Sequence, residues 1–89
     1  MCYAKPMPTL LNLDGFKFFF YANEHEPKHV HVMKGGDFAK IELGKLRVVT
    51  NTFKPPEIKR AVEIAKNHQT DFSRKWDEHF NLRKIRDIR

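Results

Sequence analysis

Three segments of alternating apolar and polar residues, 16–22, 29–34 and 38–43, most constrain how this chain can fold. Successive side chains of a β-strand point to opposite faces, so this alternation predicts half-buried strands. Asp14-Gly15 precedes the first segment and Gly35-Gly36-Asp37 separates the last two, and both are typical of hairpin turns. Because short turns join antiparallel neighbours, the pattern predicts an antiparallel β-meander of about four strands.

The faces of these strands differ in composition. Phe16, Phe18 and Phe20 share one face, which we expect to be the core. Phe19 and Tyr21 point to the opposite face, which predicts that this face is also covered, by a helix or by a partner. In the next segment the valines lie on one face, and the other carries His29, His31 and Met33. The predicted strands are 10–13, 16–22, 29–34, 38–43 and a short edge strand, 46–49.

The C-terminal part of the chain has the apolar periodicity of helices. Lys54-Pro55-Pro56-Glu57 is typical of a helix start, because proline is tolerated in the first turn and glutamate suits the positive end of the dipole. The stripe that follows runs to His68 and consists of Ile58, Ala61, Val62 and Ala65. Thr70-Asp71 predicts the N-cap of a second helix, whose aromatic residues are Phe72, Trp76 and Phe80. One long helix from Glu57 to Phe80 is the alternative, and the weak helical run 67–70 favours two helices. The predicted fold is α+β, with two C-terminal helices packed on the sheet.

Length, charge and cysteine content narrow the class of protein. A chain of 89 residues predicts one domain, which we expect over 7–81, between a loose extension, 1–6, and a basic tail, 82–89. The net charge of +6 favours polyanionic partners such as RNA. A single cysteine excludes an internal disulfide and fits a cytoplasmic location. The longest apolar run, 18–22, is too short to cross a bilayer, so we expect no membrane partner.

The segment between the second and third strands concentrates the chemistry, since three of the five histidines lie within seven residues. Histidine titrates near neutrality, so His25, His29 and His31 could act as base and acid in metal-independent cleavage of RNA. Glu24 would orient one imidazole. The residues expected to contact the substrate are Tyr21, Asn23, Lys34 and Arg47, with Tyr21 stacking on a base and the cations contacting phosphate.

Two other interpretations of the histidines remain open. His29 and His31 on one strand face, with His25 as a third ligand and Glu24 or Glu26 as a carboxylate, are also typical of a site for zinc or another divalent transition metal. A structural role is the simpler alternative, because loop Asn and His side chains often hydrogen-bond the backbone. The string His-Val-His-Val also resembles part of the histidine-triad signature of nucleotide hydrolases. Pro27 stands where that signature has its further histidine, which argues against this function.

The motifs together resemble a prokaryotic family catalogued as domain of unknown function 4160. The resemblance extends over residues 7–81 and rests on five motifs: Met7-Pro8-Thr9, Tyr21 to Val32 with its N-E-H-x-P-x-H-V-H-V string, Lys34-Gly35-Gly36, Lys54-Pro55-Pro56-Glu57 and Trp76 to Phe80. Genes of this family often lie beside those of another small family, and the pair has been proposed as a toxin–antitoxin module. The resemblance therefore implies a basic toxin capped by a small acidic antitoxin-type protein.

Two hypotheses follow for the function. The first is a toxin-like component acting on RNA, an endoribonuclease without a cofactor, through His25, His29, His31 and Glu24. The second is a non-catalytic protein-binding module whose histidine loop is structural or metal-stabilised. In either case the expected partner is an acidic protein, and a second copy of the chain is a further candidate.

Overall fold

A computed structural model describes residues 9–21 and 24–81, with the side chain of Asn81 excepted. Five strands form one antiparallel sheet in the order of the sequence, and two helices follow. This confirms the predicted α+β meander with two C-terminal helices. The expected extension, 1–6, and basic tail, 82–89, lie outside the described residues. The elements are β1 (Thr9–Leu13), β2 (Phe16–Phe19), β3 (His29–Lys34), β4 (Asp37–Glu42), β5 (Arg47–Asn51), α1 (Pro55–Asn67), α2 (Gln69–Trp76) and a terminal π-helical turn, Asp77–Asn81.

Both predicted hairpin turns are present. Asp14 and Gly15 join β1 to β2 with positive φ angles of 53° and 83°, and Gly35 has a φ of 62° in the turn between β3 and β4. Positive φ is the region that glycine adopts without steric cost, so the turn residues fit their backbone. The second turn sets a register in which His31 lies opposite Lys40.

The second strand is shorter than predicted. Its ladder ends at Phe19, whereas the alternation predicted a strand to residue 22. The reason is local, because the backbone N–H of Tyr21 donates to the carboxylate of Glu24 and not to a neighbouring strand. Phe20 lies beyond the strand and is nonetheless fully buried in the core.

One face of the sheet carries the core, as the alternation predicted. Ring contacts join Phe18 to Phe72 and Phe20 to Trp76, so the described helices pack on the Phe16 face. At the start of β3 the indole of Trp76 reaches His29, but no described helix covers the rest of the opposite face, which we call the outer face and whose exposed residues include Tyr21, Met33 and Phe38. The expected helical cover of that face is therefore absent from the described part of the chain. The buried core consists of Phe16, Phe18, Phe20, Val30, Val32, Ala39, Ile41, Leu43, Phe53, Ala61, Ile64, Ala65, Phe72 and Trp76.

The two helices are separate, but the predicted cap of the second is wrong. α1 ends at Asn67, and the next residue, His68, donates from both its backbone N–H and its Nδ1 to the carbonyl of Ile64. α2 begins directly at Gln69, before Thr70-Asp71, and the Gln69 amide donates to the Leu43 carbonyl at the end of β4. This tertiary bond places the start of α2, and a local capping motif does not. Within the described ranges, no helix is long and apolar enough to span a bilayer.

Candidate functional site

The loop between β2 and β3 brings a carboxylate to the histidine face of the sheet. Glu24 is held by the backbone N–H of Tyr21, which donates to its Oε2 at 2.9 Å. The loop then passes through a cis peptide bond between Glu26 and Pro27 and enters β3 at His29. Because β3 alternates its side chains, His29 and His31 lie on the same face, beneath the Glu24 carboxylate.

Glu24, His29 and His31 form one hydrogen-bonded unit, which we call the Glu24 cluster. Oε1 of Glu24 lies 2.8 Å from Nε2 of His29, and Oε2 lies 2.8 Å from Nε2 of His31. Nδ1 of His29 donates to the carbonyl oxygen of Pro27 at 2.9 Å. His29 is 5% exposed and Glu24 and His31 are half-buried, so His31 is the imidazole that solvent reaches more easily.

The cluster holds a negative charge among imidazoles. Burial on its own would raise the pKa of Glu24, but the Tyr21 amide and the two histidines outweigh it and hold the pKa below its ordinary value. Burial lowers the pKa of His31, and the attraction of Glu24 opposes this only in part. At neutral pH the carboxylate is therefore ionised, and His31 is a neutral ring that donates from Nε2 to Glu24.

Aromatic rings enclose the two histidines from different sides. Phe19 stacks on His31 with centroids 5.6 Å apart, and Tyr21 meets the same ring edge to face at 4.4 Å. Trp76 of α2 contacts His29 at 5.0 Å. The orientation of each imidazole is thus fixed by packing as well as by hydrogen bonds.

Two shallow grooves border the cluster. The first, of about 300 Å³, lies on the outer face, and its lining includes Tyr21, His31 and Lys40. The second, of about 340 Å³, lies over the loop, and its lining includes Glu24 and Arg47. Lys40 borders both grooves, so a ligand that spans them would meet the cluster and two cations.

The structure brings together part of the predicted set of site residues. Tyr21 contacts His31, and Arg47 borders the second groove while pairing with Glu42 at 3.4 Å. His25 is exposed at the second groove and is not one of the three residues of the Glu24 cluster. Asn23 lies outside the described residues.

Lys34 is placed away from the cluster. Its ammonium group lies 4.6 Å from the ring centroid of Phe16 and 4.0 Å from Oε2 of Glu57 on α1. These contacts lie on the core side of the sheet, opposite His31. The structure therefore offers Lys40, and not Lys34, as the lysine beside the histidines.

Lys40, Trp76 and the Pro27 carbonyl are the site components that the sequence analysis missed. A signal for Lys40 was present, since the two-residue turn at Gly35-Gly36 sets the pairing of His31 with Lys40. No local signal pointed to Trp76 as a neighbour of His29, because that contact depends on how α2 docks on the sheet.

The Glu24 cluster also has the donor set of a metal site. Glu24, His29 and His31 each offer one ligand atom, and these atoms lie within 4.8 Å of one another. Two imidazoles and a carboxylate are ligands that first-row transition metals accept. The predicted ligands were His29, His31 and His25, with Glu24 or Glu26 as a carboxylate, and the structure groups Glu24 with His29 and His31 and leaves His25 out.

Comparison with known proteins identifies the family. The profile of the family described as Domain of unknown function (DUF4160) matches residues 15–77, which is more than half of the chain and includes the whole Glu24 cluster. No curated protein and no solved structure matches the chain. The chain therefore belongs to the DUF4160 family.

Proposed function

We propose that this protein is the toxin-like component of a two-gene toxin–antitoxin module and that it cleaves RNA at the Glu24 cluster. The observation that carries the proposal is the 2.8 Å bond between Oε2 of Glu24 and Nε2 of His31 at the edge of an open groove. A carboxylate that orients an imidazole in this way is the arrangement of an activated general base.

Because of its orientation, His31 is the residue that we propose as the general base in the first proton transfer. Because Nε2 donates to Glu24, the lone pair of Nδ1 is the one that accepts a proton. In the proposed step, Nδ1 takes the proton of a ribose 2′-hydroxyl and the 2′-oxygen attacks the adjacent phosphorus. The bond from phosphorus to the 5′-oxygen breaks, and this leaving oxygen takes up a proton from solvent water, to which Nδ1 of His31 then returns the proton that it accepted. The products are a 2′,3′-cyclic phosphate and a 5′-hydroxyl.

The surroundings of His31 suit a single-stranded RNA substrate. Tyr21 is 55% exposed beside His31, and an exposed aromatic ring can stack on a splayed-out base. Lys40 and Arg47 border the grooves and would contact phosphate oxygens and the charge that develops in the transition state. The net charge of +6 would attract the polyanion.

An acidic antitoxin-type protein is the proposed partner. The outer face holds the exposed side chains of Met33 and Phe38 beside the groove that His31 borders. Lys17 and Lys40 extend from strands of the same sheet, at positions that face this side. A protein with acidic residues around an apolar centre would cover these side chains and block access to His31.

The test is expression of the unmutated chain, His31→Ala and Glu24→Gln from a tight inducible promoter at equal soluble levels. Lys59→Ala is the control, because Lys59 is exposed on α1. We expect growth arrest and RNA loss for the unmutated chain and for Lys59→Ala, and normal growth for the two cluster variants. Purified protein should leave 5′-hydroxyl ends on RNA, as measured by phosphorylation with a kinase. Equal activity of His31→Ala, or normal growth in all strains, would contradict the proposal.

Docking without catalysis is the second candidate function. The exposed apolar side chains Met33 and Phe38 on the outer face favour it, because a binding module needs such a surface. In that case Phe38→Ser would abolish capture of the protein encoded by the neighbouring gene, whereas His31→Ala would change neither growth nor RNA. The two functions are thus distinguished by which variant shows the defect.

A further inference from the structure

Both ring nitrogens of His29 contact an oxygen atom, and the contact between Nε2 and Glu24 is one that a metal cation could make. Nδ1 faces the carbonyl of Pro27 at 2.9 Å and Nε2 faces Oε1 of Glu24 at 2.8 Å, so both ring nitrogens face acceptors. A carbonyl accepts only, hence Nδ1 carries a proton. The contact at Nε2 is then made either by a second proton or by a cation between Nε2 and the carboxylate.

The other two members of the cluster converge on the same place. Nε2 of His31 lies 2.8 Å from Oε2 of Glu24, and one ligand atom from each of the three residues lies within 4.8 Å of the others. Zinc binds nitrogen and oxygen at about 2.0–2.2 Å, which separates neighbouring ligands by roughly 3.3 Å around a tetrahedral ion. The contacts of 2.8 Å therefore need to open by a few tenths of an ångström, which rotation of the Glu24 side chain can supply.

The residues that contact the three ligand side chains are of the kind that orient the ligands of a metal ion. A metal-bound imidazole almost always donates its other ring N–H to a carbonyl, carboxylate or water, and His29 donates to Pro27. The carboxylate of Glu24 is itself held by the Tyr21 amide at 2.9 Å. Trp76 packs against His29 and fixes the plane of its ring. These contacts hold two of the three ligands in place before any ion binds.

We propose that Glu24, His29 and His31 bind a divalent transition metal ion, with zinc as the ion to test first. Three protein ligands leave a coordination position for water or another small ligand, as in zinc sites that are open to solvent. The proposal goes beyond RNA cleavage and does not depend on it. An ion on Nε2 of His31 would replace the proton there and leave the ring proton on Nδ1, so the metal-bound chain and the chain that uses Nδ1 as a base are two different states.

The test is metal binding by the purified, tag-free full chain after removal of metals with a chelator. Zinc is titrated by calorimetry, and cobalt(II) is titrated by visible absorption, where bands from low-symmetry coordination report its ligands. Glu24→Gln and His31→Ala are compared with Glu26→Gln, which removes the same charge from an exposed position two residues away. Circular dichroism establishes that each variant is folded, and His29→Ala is omitted from the decisive set because His29 is buried.

We expect one zinc ion per chain and a rise of the melting temperature with zinc for the unmutated protein and for Glu26→Gln. Zinc affinity should fall more than tenfold in Glu24→Gln and in His31→Ala, and the cobalt bands should disappear. His25→Ala, which leaves all three ligand atoms in place, should bind zinc as the unmutated protein does. Equal binding by the folded cluster variants, or no binding by the folded unmutated protein, would overturn the proposal. None of these readouts involves RNA, so failure of the proposed cleavage would not affect them.

Discussion

The indole of Trp76 packs against the imidazole of His29, with the ring centroids 5.0 Å apart. Trp76 lies on α2 and His29 on β3, so this contact joins the helical layer to the Glu24 cluster. Trp76 is 1% exposed, and among the described residues its Nε1 has no hydrogen-bond partner. Its contribution to the site is therefore packing, and not a hydrogen bond.

Substitutions of Trp76 should separate packing from polar interactions. Trp76→Ala leaves a large cavity and should lower the free energy of unfolding by about 3–5 kcal/mol. Trp76→Phe keeps most of the ring and removes an unpaired buried N–H, so we expect a loss below about 1.5 kcal/mol. Urea denaturation followed by circular dichroism measures both. Equal losses for the two variants would show that the indole N–H has a partner that stabilises the fold.

His29 should be the cluster residue on which stability depends most. His29→Ala removes a buried ring that contacts Trp76 and leaves the Glu24 carboxylate without one of its two imidazoles. We expect the free energy of unfolding to fall by about 2–4 kcal/mol, measured in urea with a chelator present. His25→Ala is the matched control, because His25 is exposed and its removal should change stability by less than about 0.5 kcal/mol. Similar losses for both variants would contradict the structure.

The metal-free protein should lose stability as the pH falls. The folded-state pKa of Glu24 is held below the ordinary value of 4.5, and that of His31 is below 6.5. In both cases the unfolded chain binds more protons as the pH drops through these ranges, so acid favours unfolding. Stability should begin to fall below about pH 6.5 through His31 and fall further below about pH 4.5 through Glu24.

The measurement is the urea midpoint between pH 7 and pH 3 with a chelator present. Glu24→Gln should flatten the decline below pH 4.5, whereas the exposed Glu26→Gln should leave its shape unchanged. A midpoint that stays constant from pH 7 to pH 5 in the unmutated protein would contradict the lowered pKa of the half-buried His31.

The turn between β3 and β4 offers a test of backbone conformation alone. A Cβ added at Gly35 or at Gly36 meets no heavy atom within 4 Å, but only Gly35 has a positive φ, of 62°. Gly35→Ala should therefore cost about 1–2 kcal/mol of unfolding free energy, and Gly36→Ala should change it by less than about 1 kcal/mol. Thermal melts of the two variants compare them directly. A larger loss for Gly36→Ala would mean that the turn has a different conformation.

Lys40 should contact phosphate if the protein acts on RNA. It borders both grooves and lies opposite His31 in the sheet. Lys40→Ala should weaken RNA binding and reduce the slope of log affinity against log salt by about 0.7–1, which is the effect of losing one phosphate contact. Lys59→Ala removes the same charge from the exposed side of α1 and should keep the slope. An unchanged slope for Lys40→Ala would exclude this phosphate contact.

Much of the fold could be predicted because local patterns agreed with it. The alternation around Phe16, Phe18 and Phe20 and the turns at Gly15 and Gly35 predicted the meander, and the structure has the same core face. Two predicted boundaries were wrong. The strand β2 ends at Phe19, before the predicted residue 22, and α2 begins at Gln69, before the predicted cap at Thr70-Asp71. Each boundary is set by a side-chain to backbone hydrogen bond, one from Tyr21 to Glu24 and one from Gln69 to Leu43.

The candidate site likewise has features that could be predicted from the sequence and features that could not. That His29 and His31 share a strand face could be predicted from the sequence, because side-chain alternation is a local property of the backbone. Three features emerged from the folded chain: Glu24 bridges the two rings, His25 is outside the cluster, and Lys34 faces the core side while Lys40 faces the histidines. These placements depend on the path of the loop and on strand pairing. Periodicity along the chain encodes neither of them, even where the residues are close in sequence, as Glu24 and His29 are.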